Sequence, residues 1–415
     1  MEFDFVIIGS GPAGSVLSNE LSNKGFKIAL VDRAKNEKNL AINDFFCPYI
    51  YNCPSYYTPV YSNQLGGNSA LWHSKIYLLS KEEIETYEWN IKYDELAKFS
   101  DDLAQKFNLD ENLIRKFTPN ETNSIYRYSL RAKFRNLYNY LRINENKNVV
   151  LFKGYSPIKL NMDKDKVKSI EIKNEENLNK TINLNNALIF CAGGLGNPHL
   201  LLNLLPEKNE LIGKNLSDHP HVNLGKIIEK KFTKYVKIAK PNIKDNLKIK
   251  KSDEIALVNK RNNFFSGIQL DYKTDPIRSL RRLFIKIQNT NVRKFLSVFS
   301  FLITKVNGLY FKLGHLTGKY YKYSFEFFFS QKPSMSNRVD LSSEVDKFGL
   351  KKINIDWNIR QDDMKNYNNL INYVLGENGK LLKTNEKINF MKSFYKNGLS
   401  GLHPSCTTKI GLNSK

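Results

Sequence analysis

Residues 3–14 read FDFVIIGSGPAG, an apolar and aromatic run that passes directly into a glycine turn. β-Branched and aromatic residues in such a run are typical of a buried parallel strand. Leu17 and Leu21 then follow at helical spacing, and a second strand, Lys27–Val31, ends at Asp32. The order strand, glycine turn, helix, strand and acid predicts a βαβ unit that binds a dinucleotide.

Each part of the glycine turn has a predicted physical task. Gly9 permits the tight turn, Gly11 lets the backbone approach a pyrophosphate, and Gly14 allows the helix to pack closely on the strand. The helix that begins around Ala13 presents free N–H groups and the positive end of its dipole to the phosphates. Asp32 is expected to accept hydrogen bonds from the ribose hydroxyls.

A second glycine loop, QLGGNSALWH, occupies residues 64–73. Paired glycines let main-chain N–H groups approach a charged or planar cofactor, and a serine hydroxyl can donate to phosphate. The loop resembles the Gly-Gly-x-Ser loop of the glucose–methanol–choline (GMC) oxidoreductases, which runs beside the flavin; a plain glycine loop is the alternative. The resemblance implies that FAD is the cofactor. It places these residues beside FAD: Gly66, Gly67, Asn68, Ser69 and Trp72.

Other segments resemble the same family in the same order along nearly the whole chain. Residues 187–194 read ALIFCAGG, which we expect to be a buried strand that enters a glycine turn and brings Ala192 to the cofactor. Residues 148–172 are expected to form a small antiparallel excursion that covers the adenine. Residues 212–220 resemble the exit from the FAD domain, and residues 337–349 resemble a hairpin that opens the C-terminal region.

The resemblance implies an α/β fold, with a doubly wound, Rossmann-like FAD-binding domain of the glutathione-reductase type. An inserted α+β substrate domain is expected to contain an antiparallel sheet. The expected divisions are an FAD-binding part at 1–80, a helical cap segment at 81–140, a second FAD-binding part at 141–225, a substrate-binding domain at 226–395 and the start of a C-terminal catalytic segment at 396–415.

Residues 402–411, LHPSCTTKIG, resemble the family's His-x-x-Gly-Thr motif. The resemblance implies that His403 is the base that takes the proton of an alcohol or sugar hydroxyl while hydride moves from the CH–OH group to flavin N5. An imidazole suits this task because its ordinary pKa lies near neutrality. The alternative for His403 is a surface or structurally bonded histidine. The electron acceptor is left undetermined by the sequence.

Three departures from the family pattern bear on this hypothesis. Cys406 stands where the family usually has glycine, and Pro157 stands where a backbone N–H usually contacts adenine. The chain ends at Lys415, before the position of the family's second catalytic-pair residue. The second hypothesis is therefore a truncated, catalytically silent FAD-binding protein. A pyridine-nucleotide disulfide reductase is disfavoured, because the chain has neither a CxxC pair nor a second G-x-G-x-x-G.

The chain of 415 residues carries 64 basic and 41 acidic residues, a formal net charge of +23. Residues 231–330 alone contain 21 basic and 6 acidic residues. This basic block predicts peripheral contact with an anionic membrane, whereas Lys-rich codon usage and a core-facing amphipathic helix are the simpler alternative. No motif of a nucleic-acid-binding fold accompanies the charge, so nucleic-acid binding is not expected.

The four cysteines and six histidines form no predicted metal site. His219 and His221 flank Pro220, and such a pair on an extended segment is more often structural than metal-binding. No apolar run reaches the length needed to span a bilayer, and the N-terminus opens directly into a strand. These features predict a cytoplasmic protein.

Overall fold

The computed structural model describes residues 1–35, 46–51, 63–70, 75–76, 81, 84, 91–107, 125–128, 130–131, 136–206, 209–229, 255–261, 264–271, 321–377, 398–399 and 403–408. Within these ranges no helix is long and apolar enough to cross a membrane. Residues 272–320 of the basic block, which include the sequence at 278–302 with apolar residues at helical spacing, lie outside the described residues, as do Trp72 and His73.

Helices and strands alternate in the first part of the chain. The strands are β1 (Glu2–Ile8), β2 (Ile28–Asp32), β3 (Phe46–Tyr51), β4 (Lys75–Ile76), β5 (Ile125–Tyr128), β6 (Leu130–Arg131), β7 (Val149–Lys153), β8 (Tyr155–Asp163), β9 (Lys166–Asn174), β10 (Asn179–Phe190), β11 (His221–Glu229), β12 (Ile255–Arg261), β13 (Phe264–Asp271), β14 (Tyr321–Phe329), β15 (Arg338–Val345), β16 (Lys351–Asp356) and β17 (Gly398–Leu399). The helices are α1 (Pro12–Asn23), α2 (Tyr93–Lys106), α3 (Leu137–Tyr140), α4 (Gly193–Leu204) and α5 (Gln361–Glu377).

A six-stranded sheet in the order β7-β2-β1-β10-β9-β8 forms the centre of the fold. Its strands β7, β2, β1 and β10 run parallel. Helix α1 connects β1 to β2, and helix α4 follows β10. This is the predicted βαβ unit with its crossover helix, so the predictions for β1, α1 and β2 are confirmed.

Both faces of the central sheet are buried, as expected for parallel strands covered by helices. Successive residues of β2 alternate between two core clusters: Ala29 and Val31 pack with Leu200 and Leu204 of α4, and the alternate residues face α1. The fold is therefore doubly wound, as predicted.

One local prediction for this domain differs from the structure. Strand β7 pairs in parallel with β2, so the antiparallel excursion begins only at Tyr155 and comprises β8, β9 and the first part of β10. The buried face of α1 consists of glycine and serine residues, whereas Leu17 and Leu21 are only partly buried. Small residues dominate this face because the helix lies close against the strand ends.

A second six-stranded sheet, in the order β17-β11-β14-β13-β12-β5, is antiparallel throughout. It confirms the expected antiparallel sheet. Strand β11 enters it at His221, just ahead of the predicted domain boundary at 226, and β5 comes from the predicted cap segment. The division into domains stays a prediction.

A third sheet contains the hairpin of β15 and β16, and β3 runs parallel to β16. The hairpin confirms the prediction for residues 337–349. The Nε2 atom of His199 on α4 lies 2.9 Å from the carbonyl oxygen of Lys351, and Asn203 accepts a hydrogen bond from the amide of Lys351 at 2.9 Å. These contacts attach the hairpin to the helix that covers the central sheet.

Candidate active site

The glycine turn after β1 is shaped by close backbone contacts. Gly9 has a φ of +103°, which favours glycine, and its amide donates to the carbonyl of Val31 at 2.8 Å. Gly11 caps α1 with a φ of −59° and a ψ of −174°, and no side chain caps this helix end. A Cβ on Gly14 would overlap the carbonyl oxygen of Gly9. The turn thus brings the open N-terminus of α1 to the end of the sheet.

Asp32 ties the end of β2 to this turn. Its carboxylate accepts hydrogen bonds from the amide of Ser10 at 2.6 Å and from the amide of Ala34 at 2.7 Å. Burial raises the pKa of Asp32, and the bonds from Ser10 and Ala34 oppose that rise. The side chain is half-buried and lines the adjoining cavity, and its role as a ribose ligand stays a prediction.

The second glycine loop packs on the first. Gly66 donates its amide to the hydroxyl of Ser10 at 3.0 Å. A Cβ on Gly67 would lie 3.2 Å from the Cα of Gly11, so glycine keeps the two loops in contact. Ser69 is buried and donates its hydroxyl to the carbonyl of Gly66 at 2.6 Å, a bond that shapes the loop. A bond from Ser69 to phosphate stays a prediction.

Helix α4 brings a second open N-terminus to the same place. Ala192 precedes the helix without a side-chain cap, and its amide donates to Oδ1 of Asn197 at 2.7 Å. The four residues that precede α4 at the end of β10 are half-buried rather than buried as predicted. A Cβ on Gly194 would overlap the carbonyl oxygen of Pro404, so the segment after His403 lies directly against this helix start.

These elements surround one cavity. Seven of the predicted site residues line it, namely Gly9, Gly11, Asp32, Gly67, Asn68, Ala192 and His403. Four others are described but do not line it: Ala13, Gly14, Gly66 and Ser69. Gly14, Gly66 and Ser69 are buried behind the loops and shape them. Trp72 lies outside the described residues, and its role stays a prediction.

Sequence reasoning did not single out several further lining residues. Arg33, Tyr155, Leu195 and Gly196 belong to this group. The guanidinium of Arg33 is held by Asp346 at 2.9 Å and lies 4.6 Å from the ring centre of Phe348, so the hairpin of β15 and β16 orients it. The only feature of the sequence that pointed to Arg33 as a lining residue was its position next to Asp32.

Two ionisable lining residues are uncharged at neutral pH. Burial lowers the pKa of His199 to about 3, with a contribution from the charge of Arg33, so its ring stays neutral and donates to Lys351. Burial raises the pKa of the Cys191 thiol to about 11. His199 is a buried helix residue rather than a proton carrier. Within the described residues no group of three or more His, Cys, Asp or Glu side chains lies close enough to hold a metal ion.

The shape of the cavity fits a dinucleotide cofactor. The nearest atom to a Cβ built on Gly11 is 3.9 Å away, so the space in front of this backbone is open. Two helix N-termini border it, neither of them capped by a side chain of the described residues, which suits a negatively charged pyrophosphate. Gly9, Gly11, Gly67 and Asp32 are the residues that would hold the cofactor.

His403 lies at the cavity with its ring exposed, and the structure brings His219 against it. The Nε2 atom of His219 is 2.7 Å from the Nδ1 atom of His403, and the ring centres are 4.7 Å apart. Sequence reasoning assigned His219 a structural role and missed this pair. The two residues are far apart in the sequence, and no local pattern could have joined them.

The two departures from the family motif have structural outcomes. Cys406 has a φ of +66°, so its backbone keeps the left-handed conformation that glycine adopts most easily. Pro157 lies on β8 and lines the cavity; it offers no N–H at that point.

Comparisons with known proteins match two stretches of this chain to family models. The model of an FAD-binding domain matches residues 2–41, and the model of the GMC oxidoreductases matches residues 105–221. Over the matched residues the chain is a GMC-type FAD oxidoreductase. It is an FAD-dependent oxidoreductase, and FAD is its cofactor. No curated protein sequence matches this GMC chain.

Solved structures share the fold of this GMC chain. A pyridoxine 4-oxidase from Mesorbium loti is 13% identical with a TM-score of 0.59, over 99% of this chain and 89% of that one. A formate oxidase is 13% identical with a TM-score of 0.53, over 98% of this chain and 88% of that one. The formate oxidase of Aspergillus oryzae RIB40, studied for modification of its FAD, gives the same values. At this identity the likeness concerns the fold.

Proposed function

We propose that this GMC chain oxidises the CH–OH group of an alcohol or sugar-type substrate, with His403 as the base that accepts the hydroxyl proton. FAD supplies the hydride acceptor when it is bound. The observation that carries the proposal is the position of His403, which lines the same cavity as the glycine turn and Asp32. This shared cavity supports a role for His403 as proton acceptor beside the cofactor.

The geometry of His403 suits this task. Its ring is exposed and lines the cavity, so a substrate hydroxyl can reach it. His199, the other histidine at the cavity, is unsuited because its pKa of about 3 makes it a poor proton acceptor. Of the two described histidines that line the cavity, His403 is therefore the base we propose.

The family likeness supports the substrate class. The pyridoxine 4-oxidase that shares the fold has a name that denotes oxidation of pyridoxine. We propose primary alcohols, sugars and pyridoxine-like hydroxymethyl compounds as the first candidates. We also propose that the predicted domain at residues 226–395 binds the substrate.

The experiment is anaerobic reduction of the flavin. The full chain loaded with FAD is mixed with each candidate, and loss of the absorbance of oxidised flavin is followed. We expect at least one CH–OH compound to reduce the flavin, and His403→Ala to slow this by roughly 10²–10⁴-fold, the range for a lost general base. Thr408→Ala, an exposed position in the same segment, is the matched control and should react at the parent rate.

Two outcomes decide against the proposal. If FAD is retained but no CH–OH compound reduces it, the chain does not have this activity and the second hypothesis, a catalytically silent FAD-binding protein, is favoured. If His403→Ala reduces its flavin at the parent rate, His403 is not the base.

A further inference from the structure

We propose that His219 is a positioning residue that holds His403 by its Nδ1 atom and fixes the ring tautomer needed for proton uptake at Nε2. The inference rests on the proposed function of His403. The observation is the distance of 2.7 Å between Nε2 of His219 and Nδ1 of His403, which is that of a hydrogen bond.

The backbones of both histidines are fixed by one carboxylate. Oδ1 of Asp218 accepts a hydrogen bond from the amide of His219 at 2.7 Å and another from the amide of His403 at 3.1 Å. Asp218 is buried, with 3% of its surface exposed. Because one oxygen atom accepts both hydrogen bonds, Asp218 holds the two backbones at a set separation.

The segments on either side are joined as well. Ser217 and Ser405 form an antiparallel bridge, with amide-to-carbonyl distances of 3.1 Å and 2.9 Å. The amide of Gly213 donates to the carbonyl of Thr407 at 2.9 Å, and the Thr407 hydroxyl donates to the carbonyl of Gly194. Hydrogen bonds between their segments therefore set the positions of the two rings. The pair is not a chance contact between two surface side chains.

The proton positions follow from the chemistry of imidazole. A neutral ring carries one N–H, so a ring that accepts a proton at Nε2 must carry its hydrogen on Nδ1. We infer that Nδ1–H of His403 donates to Nε2 of His219, which in turn carries its own hydrogen on Nδ1. The opposite direction would place a hydrogen on Nε2 of His403 and remove the acceptor.

Proton uptake preserves this bond. When Nε2 of His403 takes the hydroxyl proton, the O–H bond of the substrate breaks and the ring becomes an imidazolium with hydrogens on both nitrogens. Nδ1–H still donates to His219, and the bond is stronger because the donor is now charged. An acceptor that orients a histidine and fixes its tautomer has the same effect in other active sites.

The test reads the tautomer directly. The full chain is labelled with ¹⁵N-histidine, and long-range ¹H–¹⁵N spectra at about pH 8, where an ordinary histidine is neutral, show which nitrogen of each ring is protonated. His403→Gln assigns the signals of His403. We expect Nδ1 of His403 to be protonated in the parent, and a parent protonated at Nε2 would overturn the inference.

Three variants separate a positioning role from simple packing. His219→Gln keeps an amide oxygen that can accept from Nδ1, His219→Leu removes it, and His221→Leu is the matched control on the same segment. The tautomer should be kept in His219→Gln and His221→Leu and lost in His219→Leu. An unchanged tautomer in His219→Leu would overturn the inference. Retention of FAD shows whether each variant is folded. If His219→Leu does not retain FAD, the tautomers of His403 in the parent and in His219→Gln decide the test.

Kinetics supply the second measurement once a CH–OH compound reduces the flavin. His219→Leu should lower the reduction rate at saturation by roughly 10- to 100-fold while the concentration for half-saturation stays the same, and His219→Gln should restore most of the rate. Equal losses in both variants indicate packing alone and contradict the inference. If no such compound reacts with the parent but the tautomers follow the expectation, the proposed function fails and the pairing stands.

Discussion

The carbonyl oxygen of Gly9 occupies the space in which a side chain on Gly14 would have to stand. Gly11 differs, because its dihedral angles suit any residue and the nearest atom to an added Cβ is 3.9 Å away. The two glycines of this turn are therefore needed for different reasons. Gly14 is required by the protein backbone, and Gly11 leaves space for the cofactor.

Substitution should separate these two requirements. Gly11→Leu should abolish retention of FAD, because its side chain enters the open space, while the free energy of unfolding of the apoprotein falls by at most about 1 kcal/mol. Gly14→Ala should lower that free energy by about 1–3 kcal/mol through overpacking. Flavin absorbance after gel filtration and urea unfolding of the apoproteins measure the two effects. Full FAD retention by Gly11→Leu would show that the cofactor lies elsewhere.

The sequence predicted the βαβ unit well because its signals are local. Residues 3–14 and Asp32 combine a strand pattern, a turn that needs glycine and an acid at a set distance, and all three lie within one supersecondary unit. The pairing of β7 with β2 was not predictable in this way, because a parallel partner is chosen by the packing of the whole sheet.

The histidine pair shows the same limit at the site. His403 was found from its motif, whereas His219 was given a structural role. The two residues come together because the Ser217–Ser405 bridge joins their segments. These segments are distant in the sequence, and no periodic pattern predicts their contact. The buried face of α1 consists of glycine and serine, so hydrophobicity gives no signal for it; close approach to the strand ends selects these small residues.

Cys406 should be replaceable by glycine with a gain in stability. Its φ of +66° costs an L-residue about 1–2 kcal/mol, and the greater freedom of glycine in the unfolded chain offsets part of this. We expect Cys406→Gly to raise the free energy of unfolding by about 0.5–1 kcal/mol. Cys406→Ala should change it little, and Cys406→Val should lower it because a branched Cβ is unfavourable there. Urea unfolding provides the measurement; a loss of stability in Cys406→Gly would contradict this account.

The basic block of residues 231–330 predicts binding to anionic vesicles. Each Lys or Arg near such a surface contributes about 1 kcal/mol, and salt screens the attraction. The full chain should therefore co-sediment with anionic vesicles at low salt, release as salt rises, and leave neutral vesicles unbound. Replacing Arg281, Arg282, Arg293 and Lys294 by glutamine should weaken sedimentation. Absence of binding at low salt would favour the alternative, codon usage and a core-facing helix.

The buried ring of His199 should make the stability of the protein depend on pH. Its pKa is about 3 in the folded state, whereas an unfolded histidine titrates near 6.5. The unfolded chain therefore binds more protons between these values. The contribution of the neutral ring is complete above about pH 6.5 and is lost as pH falls toward 3, by about 1.4 kcal/mol per pH unit.

His199→Gln keeps a donor for the carbonyl of Lys351 but carries no titratable ring. Between pH 8 and pH 5 the parent should lose about 2 kcal/mol more of its free energy of unfolding than this variant, as measured by urea unfolding. The matched control is Asn203→Ala, because Asn203 donates to the same carbonyl at 3.1 Å and does not titrate. Relative to the parent, Asn203→Ala should lower the free energy of unfolding by the same amount at both pH values. Parallel pH profiles for the parent and His199→Gln would mean that the ring is protonated in the folded protein, contrary to its burial beside Arg33.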